Sequence, residues 1–504
     1  MVHAKVEVHS RFSRSPLGGD AVGRRALLDT RRSEIRLRWV RRWSGALLAL
    51  AVLYVFIGQT PLARDVPVGD LTGAASGSAA NRAIWLALLF ASFPVFLTLR
   101  PQLGQAMRSC LPIALLLVWC ALSVGWAIDP ESSARRVFLL GVALTLSVAV
   151  AVGVRDLRNM HRVLAYACGA IVVIDLVAWI LAPGLAMTDA GLAGIHPQKN
   201  TLGLVMLFCG VILAPYALAQ RNGFHRLGWL LMFVGAAVLL VASRSKTSLM
   251  LLVAFIGAAP IFTVSLRAGR GSGWLLLWTG LLALAAAPLL WYVYGAFEGH
   301  DLHTRLKDIT FTQRTEIWDF VLEQARRHPV QGVGYGSFWD VDPAVQPSLH
   351  SNKWFGMPGG IVNEAHNGYI DLYASIGLLG ALYAGGLLLR WCYKGLQSLV
   401  QTARATPSDP QAVAAAISIG LFPMLFAIHN FTESSYFFPN SIFGFLILPI
   451  GVLLELPLVG VASGGRSKAS AEGRSGAREK GGVAKIAIPV KRPQEVVMAM
   501  QRGA

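Results

Sequence analysis

Six cations of this 504-residue chain sit in short polar joints between apolar runs, where an anion could meet them. Arg135 and Arg136 lie in "DPESSARR", Lys199 and its neighbour Asn200 in "HPQKNTLG", Arg244 and Lys246 in "ASRSKTSL", and Arg314 opens "RTEIWDFVLEQARRHP". Guanidinium groups grip phosphate with paired N–H donors, and lysine adds a compact point charge. Phosphate or diphosphate is therefore the anion that suits the set. Gln198, Asn200, Ser243, Ser245 and Thr247 could donate further hydrogen bonds. A single cation at a membrane edge ordinarily snorkels to lipid headgroups, whereas several in tight turns on one face could converge on one ligand. Both readings stand at this level.

A second kind of chemistry opens the stretch "EAHNGYIDLYASIGLLG", where Glu364, His366 and Asn367 precede an apolar run. Such groups at a membrane edge cost free energy, so they suggest a site as well as an anchor. An imidazole with a near-neutral pKa can accept a proton from a hydroxyl, with Glu364 or Asp371 to orient the ring. The alternative is an interfacial histidine satisfied by a backbone partner. His429-Asn430 echoes the pair and is followed by Glu433 and Tyr436, with packing or substrate contact as its expected role. His196, His328, His350 and His366 lack ligand spacing and the five cysteines lack metal-like spacing, so no metal, cofactor or disulfide framework is expected. The glycines at 332, 334 and 336 of "GVGYGSF" read as a flexible connector rather than a phosphate loop, because no strand–turn–helix context surrounds them.

The elements that must position these groups are transmembrane helices. Hydrophobic residues make up 54% of the chain and charged ones 14%, the pattern of a polytopic all-α membrane protein. Twelve apolar runs are expected near 43–59, 83–99, 109–128, 137–154, 163–181, 201–219, 227–243, 248–265, 274–294, 368–389, 411–428 and 441–459. Residues 1–42 and 460–504 read as basic, disordered tails flanking a single membrane domain over 43–459. The basic N-terminal stretch is too long for a cleavable signal and leads into a full-length span.

The net charge of +18 does not point to nucleic acid, because the tails and one set of joints hold most of it. An even number of spans with that distribution puts both termini in the cytoplasm, where the tails would meet anionic lipids. The large loop 295–367 then faces outward and is too long for a simple connection. Within it, Ile317, Val321 and Ala325 repeat at helical spacing with Phe320 beside them, and Pro329 ends the pattern.

"HPQKNTLG", "SRSKTSL", "QRTEIWDFVLEQARRHPVQGVGYGSFW" and "EAHNGYIDLYASIGLLG" follow one another in an order that resembles the O-antigen ligase and polysaccharide polymerase superfamily. The resemblance covers residues 110–455, and the K-N-x-x-G element at Lys199 is similar to the family's exopolysaccharide polymerase branch. It implies a GT-C-like, metal-independent, inverting glycosyltransferase of the bacterial inner membrane, with its active site facing the periplasm. The implied donor is a glycan on undecaprenyl diphosphate. The implied acceptor is another lipid-linked repeat for a polymerase, or lipid A core for a ligase.

On that resemblance His366 is the base, and Arg314 and Arg244 are its catalytic partners. Lys199, Asn200, Arg135, Lys246, Asn367 and Glu364 are expected at the substrate, while Gln313 departs from the glycine that often precedes the loop arginine. Polymerase is the preferred reading and ligase the alternative. A secondary transporter is a third, although no two-fold repeat is visible and the polar groups cluster at one edge rather than the midplane. A structural scaffold would leave the cations unexplained.

Overall fold

The computed structural model describes residues 18–59, 61–62, 78–268, 314–357, 362–405 and 408–457. The expected span 274–294, the first part of the large loop, residues 1–17 and the whole tail 460–504 lie outside the described residues. Hydrocarbon offers backbone N–H and C=O groups no partner, so apolar runs of this length close their hydrogen bonds internally as helices. In chain order these are α1 (Gly18–Ile57), α2 (Ala79–Thr98), α3 (Arg100–Leu122), α4 (Pro130–Val154) and α5 (Leu157–Leu181). After a two-residue antiparallel pair, β1 (Met187–Thr188) and β2 (Gly191–Leu192), come α6 (Lys199–Leu218), α7 (Gly223–Ser243) and α8 (Lys246–Ala268). The loop helix α9 (Arg314–Ala325) precedes α10 (Gly368–Ala405), α11 (Pro410–Gly420), α12 (Phe422–His429) and α13 (Ile442–Glu455).

Among the described residues nine helical segments are long and apolar enough to cross a membrane, and Lys246–Pro260 and Ile442–Glu455 are shorter apolar helices. The chain is a polytopic membrane protein. Polar residues mark the starts: Asp129, Asp156, Asn222, Asp409 and Ser441 each accept a backbone N–H of the first turn. One expectation changes. Residues 18–42, read as disordered tail, are helical and continuous with the first span. There Arg38 pairs with Glu34 one turn away at 3.3 Å, and Val40 is buried, so the basic stretch has both helical spacing and an inward face.

The core is where α4, α6, α11 and α13 meet their neighbours; every residue of α13 is buried. By contrast α2 and α7 expose Phe90, Leu97, Leu231, Val238 and Val241, the dress of lipid-facing helices. Where α10 and α11 cross, Gly395 and Gly420 lie backbone to backbone, leaving no room for a Cβ on either.

The glycine-rich stretch 332–336 is neither a flexible connector nor a phosphate loop. It is buried, and it plugs a break in α10. At Gly377 the backbone takes φ 69° and ψ −178°, open to glycine and costly for other residues. The groups freed by the break find partners in the preceding loop. Leu378 and Leu379 donate to Pro329 O (2.9 Å) and Val330 O (3.4 Å), while Val333 N donates to Ala374 O (2.9 Å). Trp119 Nε1 donates to Ile376 O at 3.1 Å. The stretch from Pro329 to Gly334 is thus a main-chain splice into the helix that follows His366.

Candidate functional site

Two hydrogen-bonded corners fix His366. It has φ 51°, and both neighbours are pinned. Ala365 N donates to Asp371 Oδ2 (2.9 Å), Trp318 Nε1 donates to Ala365 O (2.8 Å), and Asn367 N donates to Ser434 Oγ (3.1 Å). Asp371 also accepts from Trp339 Nε1 at 2.7 Å and from the Ser434 hydroxyl. Asp371 therefore holds the backbone on both sides of the site and does not orient the ring itself. The four-residue spacing of Arg314 and Trp318 has a matching explanation. Arg314 and Trp318 lie one turn apart on α9, one reaching into the site and the other fastening Ala365.

The ring is oriented by carboxylates. His366 Nδ1 lies 2.7 Å from Glu364 Oε1 and 3.4 Å from Glu433 Oε2. Burial works against its charge, but the hydrogen bonds and charges of Glu364 and Glu433 outweigh burial and raise its pKa to about 9. Glu433 meets Arg314 Nη2 at 3.5 Å, and Arg314 Nη1 donates to Thr432 O at 2.7 Å. Burial likewise opposes charge on Glu433, yet the His366 hydrogen bond, with the charges of His366 and Arg314, holds it below the usual carboxylate range. Glu364, His366 and Glu433 offer three ligand atoms within 4.8 Å of one another, a spacing that could hold a metal ion. The same cluster is tied to Arg314 through Glu433.

This cluster forms one wall of a cavity of about 650 Å³. Across it stand Lys199 and Asn200 at the start of α6, and Arg244 and Lys246 at the joint of α7 and α8. Arg244 caps α7 in the left-handed region (φ 55°, ψ 25°), which turns the chain directly into α8. Ser245 N donates to Ser243 Oγ (3.2 Å), and Ser245 Oγ donates to Ser248 Oγ (3.1 Å), tightening that turn. Gly203 of K-N-x-x-G lies under Ser245; a Cβ there would fall 2.7 Å from the serine Oγ. The motif glycine thus lets the "SRSK" turn settle beside Lys199. Lys199 Nζ donates to Ala190 O at 3.2 Å.

Among the described residues Lys199, Arg244 and Lys246 have no carboxylate partner. With Arg314 and a protonated His366, five cationic groups face the carboxylates of Glu364 and Glu433. The arrangement can bind a polyanion next to a group able to move a proton.

Two expected residues stand elsewhere. Arg135 pairs with Glu131 (3.2 Å) and donates to Ser132 Oγ (2.9 Å), outside the cavity wall. Its neighbour Arg136 turns inward and donates to Gly336 O, Trp339 O (2.7 Å) and Asp340 O (2.8 Å), a clamp on the loop. Asn367 Oδ1 caps α10 through Tyr369 N (3.1 Å) and Ile370 N (3.3 Å). Two features escape a reading of sequence alone. Glu433 is a direct partner of His366, and its only signal was its place after the second His-Asn pair. Asp175 in the middle of α5 accepts from Ile195 N (3.0 Å) and pairs with His196 Nε2 (3.0 Å), fastening the loop that carries Lys199. An acid within an apolar span is the signal that pointed there.

Residues 230–384 match the family model described as O-Antigen ligase, a segment that holds Arg244, Lys246, Arg314, Glu364 and His366. The exopolysaccharide production protein ExoQ of Rhizobium meliloti (strain 1021) is 23% identical over 380 residues, covering 74% of this chain and 82% of that protein. The resemblance carried by the ordered motifs is borne out on both counts.

Proposed function

We propose that this chain, of O-antigen ligase kinship through residues 230–384 and a distant relative of an exopolysaccharide production protein, is a membrane glycosyltransferase. It polymerises oligosaccharide repeats carried on undecaprenyl diphosphate. The observation that carries this reading is the convergence of Lys199, Arg244, Lys246 and Arg314 with His366 on one cavity at the end of the bundle. That placement also favours an enzyme over a transporter, whose substrate groups lie near mid-membrane. The reading includes twelve spans of GT-C type, both termini in the cytoplasm, and a cavity open to the periplasm of the inner membrane.

In the reaction an acceptor hydroxyl oxygen attacks the anomeric carbon of the donor glycan, and the bond from that carbon to the diphosphate oxygen breaks. His366 Nε2 takes the hydroxyl proton. Arg244, Arg314, Lys199 and Lys246 hold the departing diphosphate, which leaves as an anion of low basicity. One displacement inverts the anomeric centre, and side-chain cations supply the charge stabilisation that a metal would otherwise give.

The raised pKa adds a condition. Near neutral pH the resting imidazole is protonated, so turnover draws on a minor neutral form that grows as pH rises towards about 9. Glycan analysis of a deletion strain tests the function. Loss of polymer with single repeats remaining supports the polymerase. Polymer retained on its lipid carrier supports the alternative, transfer to lipid A core by a ligase. Unchanged polymer, correctly attached, overturns both.

A further inference from the structure

A second cavity, of about 350 Å³, adjoins the first, and Asn363, Glu364, Ser434, Asn440 and Ser441 form the wall they share. Its chemistry is different. Arg136 lines it with its N–H donors committed to three carbonyl oxygens, and its charge faces the carboxyl of Asp340. Asp371 is occupied by Trp339, Ala365 and Ser434, and the Tyr335 hydroxyl donates to Phe437 O.

What remains open is the carboxyl of Asp340 and the amides of Asn363 and Asn440. Among the described residues none of these three side chains makes a hydrogen bond. Asp340 also sits at φ 49°, a conformation that carries a cost in most residues and that clusters at binding sites. Trp339 and Phe438 add aromatic wall. A phosphate would meet the carboxyls of Asp340, Glu364 and Asp371 here against the single cation Arg136. A neutral polyol would meet hydrogen-bond acceptors, amide donors and apolar faces suited to its C–H groups.

We infer that this second cavity is the subsite for the sugar bearing the attacking hydroxyl, a neutral saccharide held by Asp340, Asn363 and Asn440 against the Trp339–Phe438 wall. Glu364 stands in the partition and belongs to both cavities, so a saccharide seated in the second presents a hydroxyl towards the first. The inference rests on the glycosyltransferase reading and deepens it, giving the two substrates separate pockets of opposite character.

The test uses the full-length protein in detergent and two probes: the repeat oligosaccharide released from its lipid by mild acid, and undecaprenyl diphosphate. Asp340→Asn preserves size and tolerates the left-handed backbone; Asn440→Ala is a second variant at an exposed position. Saturation-transfer NMR should show the oligosaccharide bound about tenfold more weakly by Asp340→Asn and severalfold more weakly by Asn440→Ala. Binding of undecaprenyl diphosphate should stay within twofold. Oligosaccharide binding unchanged in both variants overturns the subsite, and so does equal weakening of both probes. If the wild-type protein binds the oligosaccharide in this pattern but transfers nothing from a lipid-linked donor, the glycosyltransferase reading falls and the saccharide site stands.

Discussion

At one end of α13, Glu455 is closed on by Arg390 through two contacts of 2.6 and 3.0 Å and by Lys394 at 2.8 Å. At the other end, Arg244 and Lys246 line a cavity with no carboxylate partner among the described residues. The two clusters draw on the same residue types and sit on the same helical frame, yet one is nearly neutralised and the other is not. The first has the construction of a clamp between α10 and α13, its acid buried and its cations committed. The second withholds its charge for something that must arrive. Whether a cation near the membrane edge is structural is decided by what answers it, and residue type alone does not say.

The comparison breaks most visibly at the open end. His366→Ala should lower turnover by about 10²–10⁴-fold while binding of the lipid diphosphate holds. Arg244→Ala should lose both, and Arg244→Lys should recover only part, because an ammonium cannot reproduce the two-pronged contact. Full transfer activity in His366→Ala would remove the base. Full activity in Arg244→Ala would return that arginine to the lipid headgroups.

At the closed end the expected effect is on folding rather than chemistry. Glu455→Ala leaves two cations facing each other, at a cost of about 1–3 kcal/mol after allowing for the exposure of Arg390. The measurement is thermal unfolding in detergent alongside turnover per folded molecule. A lower melting temperature with unchanged turnover fits the clamp; lost turnover at an unchanged melting temperature would move Glu455 into the working machinery.

A finer test sharpens the contrast by altering the answering charge. The wild-type rate should rise about tenfold per pH unit below pH 9 and level off above it, because deprotonation of His366 creates the working form. In Glu433→Gln one of the two carboxylates holding the imidazolium is gone, so the limb should move to lower pH. A limb that does not move would show that another group sets it. Smallest of all is Arg135→Ala. Its contacts with Glu131 and Ser132 are local and partly exposed, so transfer should stay within twofold in a membrane assay.

How much of this was legible beforehand follows from the range of each interaction. Helices in hydrocarbon are written in consecutive residues, and the expected runs fall on helices wherever the structure describes them. The convergence of Lys199, Arg244, Lys246 and Arg314 was available as one of two readings, because alternate joints of a helical bundle share a face. Partners far apart in the chain were hidden. Glu433 meets His366 across 67 positions, and nothing local to either residue records the contact. Arg135 and Arg136 are identical in type and adjacent, so only the rotation of α4 settles which one turns inward. Gly377 sits inside an unbroken apolar run, where composition carries no mark of a break.

That break bears on how the molecule is made. Residues 329–333 leave the ribosome before 368–405, yet the later segment cannot complete its own main-chain pairing without them. An amide left open in an apolar setting costs several kcal/mol, so a span released ahead of the docked loop would carry that debt in the bilayer. The order of synthesis matches the order of need: the loop has already been made when the helix whose main chain it completes emerges.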